Sequence, residues 1–157
     1  MLDSARVEKS GLPCEGTGYR SSKGQLAVWR PSSDILIARM SGHGDKGFVG
    51  PIVQLFDQIM KSTGKAQIFF DLERMASYDS ELRTQLTARF YVDRTRIAAF
   101  HVLVVSKLTT MGVSVANLAL GGILTPHSRR SAFALALDKA LEAAGVKEFS
   151  SSIVAAA

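Results

Sequence analysis

The sequence has very little of what cross-links a chain or carries it across a membrane. Its 157 residues include a single cysteine, Cys14, which excludes an internal disulfide and favours a reducing compartment. The longest apolar run, from Ile97 to Val105 and interrupted by His101, is less than half of the roughly 20 residues that a membrane-spanning helix needs. Charged residues follow Met1 closely, so no secretory signal is predicted. We therefore expect a cytoplasmic protein without membrane insertion.

The sequence is also poor in recognisable catalytic chemistry. Its three histidines, His43, His101 and His127, lie in separate regions without the spacing of a metal motif. Neither Ser77 nor Ser80 lies in the G-x-S-x-G pattern of a nucleophile elbow. His101 is expected to be a hydrogen-bonded core histidine, and His127 to be solvated. We therefore predict a protein that is not an enzyme and that uses no metal and no cofactor.

The formal net charge of +5 raises the question of nucleic acid or an anionic membrane surface as a partner. The basic residues are scattered along the sequence, with only Arg129 and Arg130 adjacent, and no aromatic residues alternate with them as base-stacking platforms. We therefore predict no nucleic-acid partner. The positive charge could serve an acidic protein partner, and it could equally have no role.

The length fits one domain, which buries about 70% of the surface exposed by the unfolded chain. Residues 1–18 and 146–157 lack hydrophobic periodicity and are expected to be flexible tails around a domain at residues 19–145. The periodicity within the domain predicts the order ββαβαβαβα, with about four helices on a mixed sheet of four to five strands. This order is typical of the α/β class.

The most informative stretch is QIFFDLERMASYDSELRTQL, at residues 67–86. The apolar run from Gln67 to Phe70 predicts a buried strand that ends at Asp71. A loop is expected to follow, and Asp79 is predicted to cap a helix in which Leu82 and Leu86 repeat every four residues. The loop therefore brings polar side chains to the carboxyl end of a strand, where open α/β sheets place their functional surfaces.

Asp71, together with the run Asp79-Ser80-Glu81-Leu82, resembles the STAS domain, especially its SpoIIAA-like branch of anti-sigma factor antagonists. That family opens a helix with Asp-Ser-Ser/Thr-Gly-Leu. Here Glu81 stands where the family has its phosphorylated Ser or Thr, and the glycine is missing. Ser80 is the remaining candidate phosphosite.

The resemblance implies a regulatory, non-enzymatic protein-binding module. Its partner would be a kinase-type anti-sigma factor or another signalling protein, and a homodimer is a further assembly to consider. The partner-binding residues expected from this segment are Ser77, Tyr78, Asp79, Ser80, Glu81 and Arg83.

Two other functions stay open. Residues 42–47 spell G-x-G-x-x-G after a strand and before a helix, as in dinucleotide enzymes, with Asp71 as the acidic residue. Pro51 better suits the first helical residue, which leaves the glycines in a flexible loop. The other function is a carrier or sensor of a small apolar or anionic ligand, such as a lipid or nucleotide. Its candidate ligand-binding residues are Gly42, Gly44, Asp71 and Ser106.

Overall fold

A mixed sheet of seven strands, with helices on both faces, forms the protein. The computed structural model describes residues 7–157. The strands are β1 (Glu8–Leu12), β2 (Gly16–Arg20), β3 (Gly24–Ser32), β4 (Ile35–Gly44), β5 (Ala66–Tyr78), β6 (Ile97–Leu103) and β7 (Thr125–His127). The α-helices are α1 (Val49–Thr63), α2 (Ser80–Val92), α3 (Lys107–Ala119), α4 (Arg130–Ala143) and α5 (Ser151–Ala156). Short 3-10 turns cover Pro13–Glu15, Lys46–Phe48 and Arg94–Arg96.

The strands lie in the sheet in the same order as in the chain. Strands β1 to β4 pair antiparallel, and β4 to β7 pair parallel. Each parallel connection crosses over through one helix, and such crossovers are almost always right-handed. Because β4 to β7 advance in one direction, α1, α2 and α3 all lie on the same face of the sheet.

The two faces have separate cores. On the face that we call the first, Phe56 of α1, Leu86 of α2 and Ala116 of α3 pack against sheet residues such as Ile68. On the second face, α4 and α5 cover the sheet. Their buried residues Phe133, Leu137 and Val154 pack with Trp29 and Phe69. The strands between these two layers are therefore buried on both sides, as is typical of parallel sheets.

The prediction of a flexible N-terminal tail at residues 1–18 is wrong for the part that the structure describes. Residues from Glu8 onward form β1 and β2, while residues 1–6 lie outside the described chain. Gly16 lies directly under Trp29, where an added Cβ would be 2.3 Å from the indole nitrogen. β1 is almost fully exposed and is held by its backbone pairing with β2. A strand of this kind has no hydrophobic periodicity for sequence reasoning to detect.

The prediction of a flexible C-terminal tail at residues 146–157 is also wrong. It contains α5, whose Val154 is fully buried, and Phe149 packs edge-on against Trp29 with ring centroids 5.9 Å apart. Two polar contacts fix the start of α5, because Ser151 donates its N–H and its hydroxyl to the two carboxylate oxygens of Asp138. The segment thus completes the second core.

The α/β class and the mixed sheet are confirmed. The predicted size of the sheet and the full element order were wrong, because the chain adds two strands before β3 and one helix after α4. Among residues 7–157, no helix is both long enough and apolar enough to cross a bilayer.

Candidate functional site

A cavity of about 80 Å³ lies on the first face, between the sheet, α2 and α3. The sheet contributes Phe70, Met75 and Val102 to its wall, and Leu86 and Ala116 come from the two helices. Further lining residues include Met40, Leu72, Leu82, Phe90, Phe100, Val113, Leu120 and Leu124. The wall is therefore almost entirely apolar. We call it the α2–α3 cavity.

The position of α3 depends on small side chains. The residues that it buries against the sheet are Thr109, Gly112 and Ala116. Gly112 is in direct contact with Tyr78, because an added Cβ would lie 2.2 Å from the tyrosine hydroxyl. Small side chains let the helix backbone approach Tyr78 closely, but they fill little space between α3 and the sheet. The cavity is the space that remains.

Arg83 is the single charged side chain in the cavity wall. It is half-buried, and it forms no salt bridge with any of residues 7–157. Arg89, two turns further along α2, is instead held by Asp57 and Asp93. The cavity therefore combines an apolar wall with one half-buried arginine at its edge.

A chain of hydrogen bonds lies beside the cavity, where β4 and β5 end. His43 Nδ1 is 2.7 Å from Ser77 Oγ, and His43 Nε2 is 2.9 Å from Asp79 Oδ1. The other carboxylate oxygen of Asp79 accepts the N–H of Lys46 at 2.8 Å. The hydrogen bond from His43 lowers the pKa of Asp79, so Asp79 is ionised at neutral pH.

An ionised Asp79 determines what its neighbours can do. It accepts a hydrogen bond from Nε2 of His43, whose Nδ1 shares a second hydrogen bond with the hydroxyl of Ser77. Asp79 occupies the N-cap position of α2 as predicted, but its side chain makes no capping bond there. The chain of bonds instead ties β4 and β5 to the start of α2, next to the cavity wall. Sequence reasoning missed His43, which only the pairing of β4 with β5 brings beside Ser77.

The structure divides the expected partner-binding residues into three groups. Ser77 and Asp79 belong to the hydrogen-bond chain, and Tyr78 and Arg83 line the cavity. Ser80 and Glu81 are exposed in the first turn of α2. Glu81 also lies 3.9 Å from the ammonium group of Lys46. Two of the six residues are thus exposed to solvent, and two others line the α2–α3 cavity.

The four expected ligand-binding residues do not surround one cavity. Gly42 and Gly44 lie within β4 rather than in a loop, and α1 begins at Val49, so Pro51 is already inside the helix. Asp71 is buried on the second face, where Arg130 of α4 binds its carboxylate at 2.7 Å. Ser106 caps α3 as predicted by accepting the N–H of Thr109.

The other two histidines form a pair on the second face. His101 Nδ1 is 2.8 Å from His127 Nε2, and the ring of His101 stacks on Phe69. His101 is therefore hydrogen-bonded, as expected, but it is half-buried rather than part of the core, and His127, which was expected to be solvated, is its half-buried partner. Within residues 7–157, no group of three or more His, Cys, Asp or Glu side chains could hold a metal ion.

Because His101 and His127 are half-buried side by side, we expect the folded protein to lose stability in mild acid. Burial lowers the pKa of both imidazoles below the ordinary value of 6.5, and a charge on His127 lowers that of His101 further. The unfolded chain therefore binds more protons than the folded protein as pH falls below 6.5, and stability decreases there and is constant above it. The midpoint temperature of thermal unfolding should therefore decrease when the pH is lowered from about 7.5 to about 5.5. His127→Gln should flatten this dependence, and an unchanged midpoint in the unmodified protein would contradict it.

These features define an α/β protein with an apolar cavity beside the carboxyl ends of its parallel strands. No protein-family model matches the chain, and no curated protein matches it either.

Proposed function

We propose that the protein carries a small apolar ligand that ends in an anionic group and that binds in the α2–α3 cavity. The observation that supports this proposal is the combination of an apolar wall with Arg83 as its single charged side chain. The apolar part of the ligand would replace water against Phe70, Leu86 and Ala116. Arg83 would bind a carboxylate or phosphate through charge-assisted hydrogen bonds.

The size of the cavity indicates how a ligand enters. Its volume of about 80 Å³ is smaller than the roughly 150 Å³ that accommodates benzene in an engineered protein cavity. A ligand with an alkyl chain therefore requires one wall to move outward. α3 is the wall that moves most easily, because the side chains that it buries are Thr109, Gly112 and Ala116. Separating such small side chains from the sheet exposes little apolar area.

A dansyl-labelled fatty acid, and the alcohol of the same chain length, test this proposal. The unmodified protein should bind the acid more tightly than the alcohol. Arg83→Met should weaken binding of the acid by roughly tenfold, since hydrogen bonds to charged groups contribute about 1.5 kcal/mol or more. It should leave the alcohol unaffected. The matched control is Lys139→Met, which removes an exposed cation from α4 on the second face and should change neither affinity.

Two results would count against a ligand site. The acid could fail to bind the unmodified protein, or Arg83→Met could leave the difference between acid and alcohol intact. In the first case the cavity is a gap in packing, and in the second the anion is bound elsewhere.

The exposed start of α2 favours a second candidate function, a regulatory protein-binding module that resembles anti-sigma factor antagonists. Ser80 and Glu81 are both exposed there, and a phosphate on Ser80 would lie at a helix N-terminus, which favours negative charge. The partner would be a kinase-type anti-sigma factor or another signalling protein.

Native mass spectrometry of the protein purified from its own cells separates the two functions. A small molecule retained in stoichiometric amount supports the carrier. A phosphate on Ser80, or a stoichiometric protein companion, supports the binding module.

A further inference from the structure

The outer surface of α3 carries a row of large apolar side chains that none of residues 7–157 covers. Leu108, Met111, Val115 and Leu118 recur every three or four residues along the helix and are 50%, 67%, 51% and 85% exposed. Val105, just before the helix, is 55% exposed. Single exposed apolar residues are ordinary, but a continuous row along one helix marks an interaction surface. We call these five residues the α3 stripe.

The contacts of α3 fix the stripe on the outside. Turning the helix to bury Leu108 and Met111 would move Gly112 away from Tyr78, the contact that its missing side chain permits. It would also require larger residues to fit where Thr109 and Ala116 now lie. The helix therefore buries its small residues and exposes its large ones, the reverse of an ordinary amphipathic helix.

The charge around the stripe has one sign. From Arg94 to Leu137 the sequence contains no Asp or Glu, and its charged residues are Arg94, Arg96, Lys107, Arg129 and Arg130. The acidic residues of the neighbouring helix α2 and its end are already paired with cations. Asp93 binds Arg89 and Arg96, and Glu81 lies near Lys46. Arg130 lies on the second face with Asp71, and Arg96 is paired with Asp93, so the cation that accompanies the α3 stripe on its own helix is Lys107, and α3 carries no acidic residue.

We propose that the α3 stripe docks on the surface of an anionic lipid bilayer. This inference rests on the proposed carrier function, because α3 is also the movable wall of the ligand cavity. The apolar side chains would enter the boundary between headgroups and acyl chains, and the cations would bind the anionic headgroups. A ligand could then pass between the bilayer and the cavity where α3 is already in contact with lipid.

A second copy of the chain fits this surface less well. Two stripes facing each other would bring two α3 helices together, and the charged residue on each of them is Lys107. Since the segment from Arg94 to Leu137 has no acidic residue, it offers them no opposite charge. An anionic bilayer supplies the charge that is missing.

Sedimentation with lipid vesicles tests the inference. The full chain should bind vesicles of equal phosphatidylcholine and phosphatidylglycerol, and should bind pure phosphatidylcholine much more weakly. The double variant Met111→Ser/Leu118→Ser should reduce binding to the mixed vesicles by roughly a hundredfold, at about tenfold for each apolar side chain withdrawn from lipid. The matched control is Leu135→Ser, which removes a 57% exposed leucine from α4 on the opposite face and should have no effect.

The outcomes separate this inference from the carrier function. The double variant should still bind the dansyl-labelled fatty acid in solution, because Met111 and Leu118 do not line the cavity. Vesicle binding without fatty-acid binding would overturn the carrier but keep the docking surface. Equal binding to both kinds of vesicle, or to neither, would overturn the docking surface. So would a dimer that the double variant converts to a monomer, since a second copy would then cover the stripe.

Discussion

Replacing Arg130 with methionine should lower the free energy of unfolding by about 3 kcal/mol, near the lower end of the range for breaking a buried ion pair. Arg130 donates to the carboxylate of Asp71, which is only 1% exposed, and its Nε donates to Glu73. Methionine keeps much of the side-chain volume but leaves a buried carboxylate without its main partner. The nearby cation Arg39 offsets part of the loss, since it attracts Asp71 electrostatically.

Arg129→Met is the matched control, because Arg129 is the adjacent residue and is exposed. It should change stability by no more than about 0.5 kcal/mol, as surface substitutions usually do. The double variant Asp71→Asn/Arg130→Met should recover part of the stability, since it removes the buried charge together with its partner. Urea unfolding of the four proteins measures each difference. Equal losses in the two single arginine variants would show that the ion pair contributes nothing.

Two arginines of the sheet, Arg39 and Arg74, explain why α5 could not be predicted. Arg39 donates to the carbonyl of Val154 at 2.9 Å, and Arg74 donates to that of Ala155 at 3.3 Å. Cations at a helix C-terminus stabilise it, but these two come from strands more than 80 residues earlier in the chain. Local sequence around Ser150-Ser151-Ser152 carries no sign of them. A six-residue helix of this kind depends on tertiary contacts rather than on its own propensity.

Hydrophobic periodicity was sufficient to predict most of the central helices and strands, but it was insufficient to predict the candidate site. It predicted a helix that begins after Asp79 and a strand at residues 67–70, but the loop expected after Asp71 was wrong, because β5 continues to Tyr78. It also predicted a helix from the spacing of Leu108, Met111, Val115 and Leu118. Spacing shows that one face of a helix is apolar but does not show whether that face is buried. The close contact of Gly112 with Tyr78 decides this, and it is made between residues distant in sequence.

One signal for the α3 surface was present in the sequence. The basic residues are scattered along the chain, which argues against a charged surface when they are counted alone. The lack of any acidic residue from Arg94 to Leu137 is the more informative observation, because local charge depends on both signs. By contrast, the bonds of His43 to Ser77 and Asp79 arise from the register of β4 and β5 and have no sequence signature.

Replacing Gly24 with alanine should destabilise the protein by about 3 kcal/mol, the upper end of the usual range for overpacking, because the added carbon is forced against backbone atoms that no side-chain rotation can move. Its Cβ would lie 2.0 Å from the carbonyl oxygen of His43 and 2.8 Å from its nitrogen. Gly24 pairs with Gly42, where a φ of +73° disfavours any side chain and an added Cβ would lie 2.6 Å from the carbonyl oxygen of Lys23. The two strands thus approach too closely for any Cβ.

Gly50→Ala is the matched control, and its expected effect has the opposite sign. Gly50 lies in the first turn of α1 with no atom within 4 Å of an added Cβ, so alanine should stabilise the helix by up to about 1 kcal/mol. Thermal and urea unfolding of both variants measure the contrast. The result also bears on the glycine fingerprint at residues 42–47. The atoms that Gly24 would meet belong to the backbone of His43, inside the motif, and this clash requires no nucleotide. A large loss at Gly24 therefore attributes the need for glycine at Gly42 to the close approach of β3 and β4.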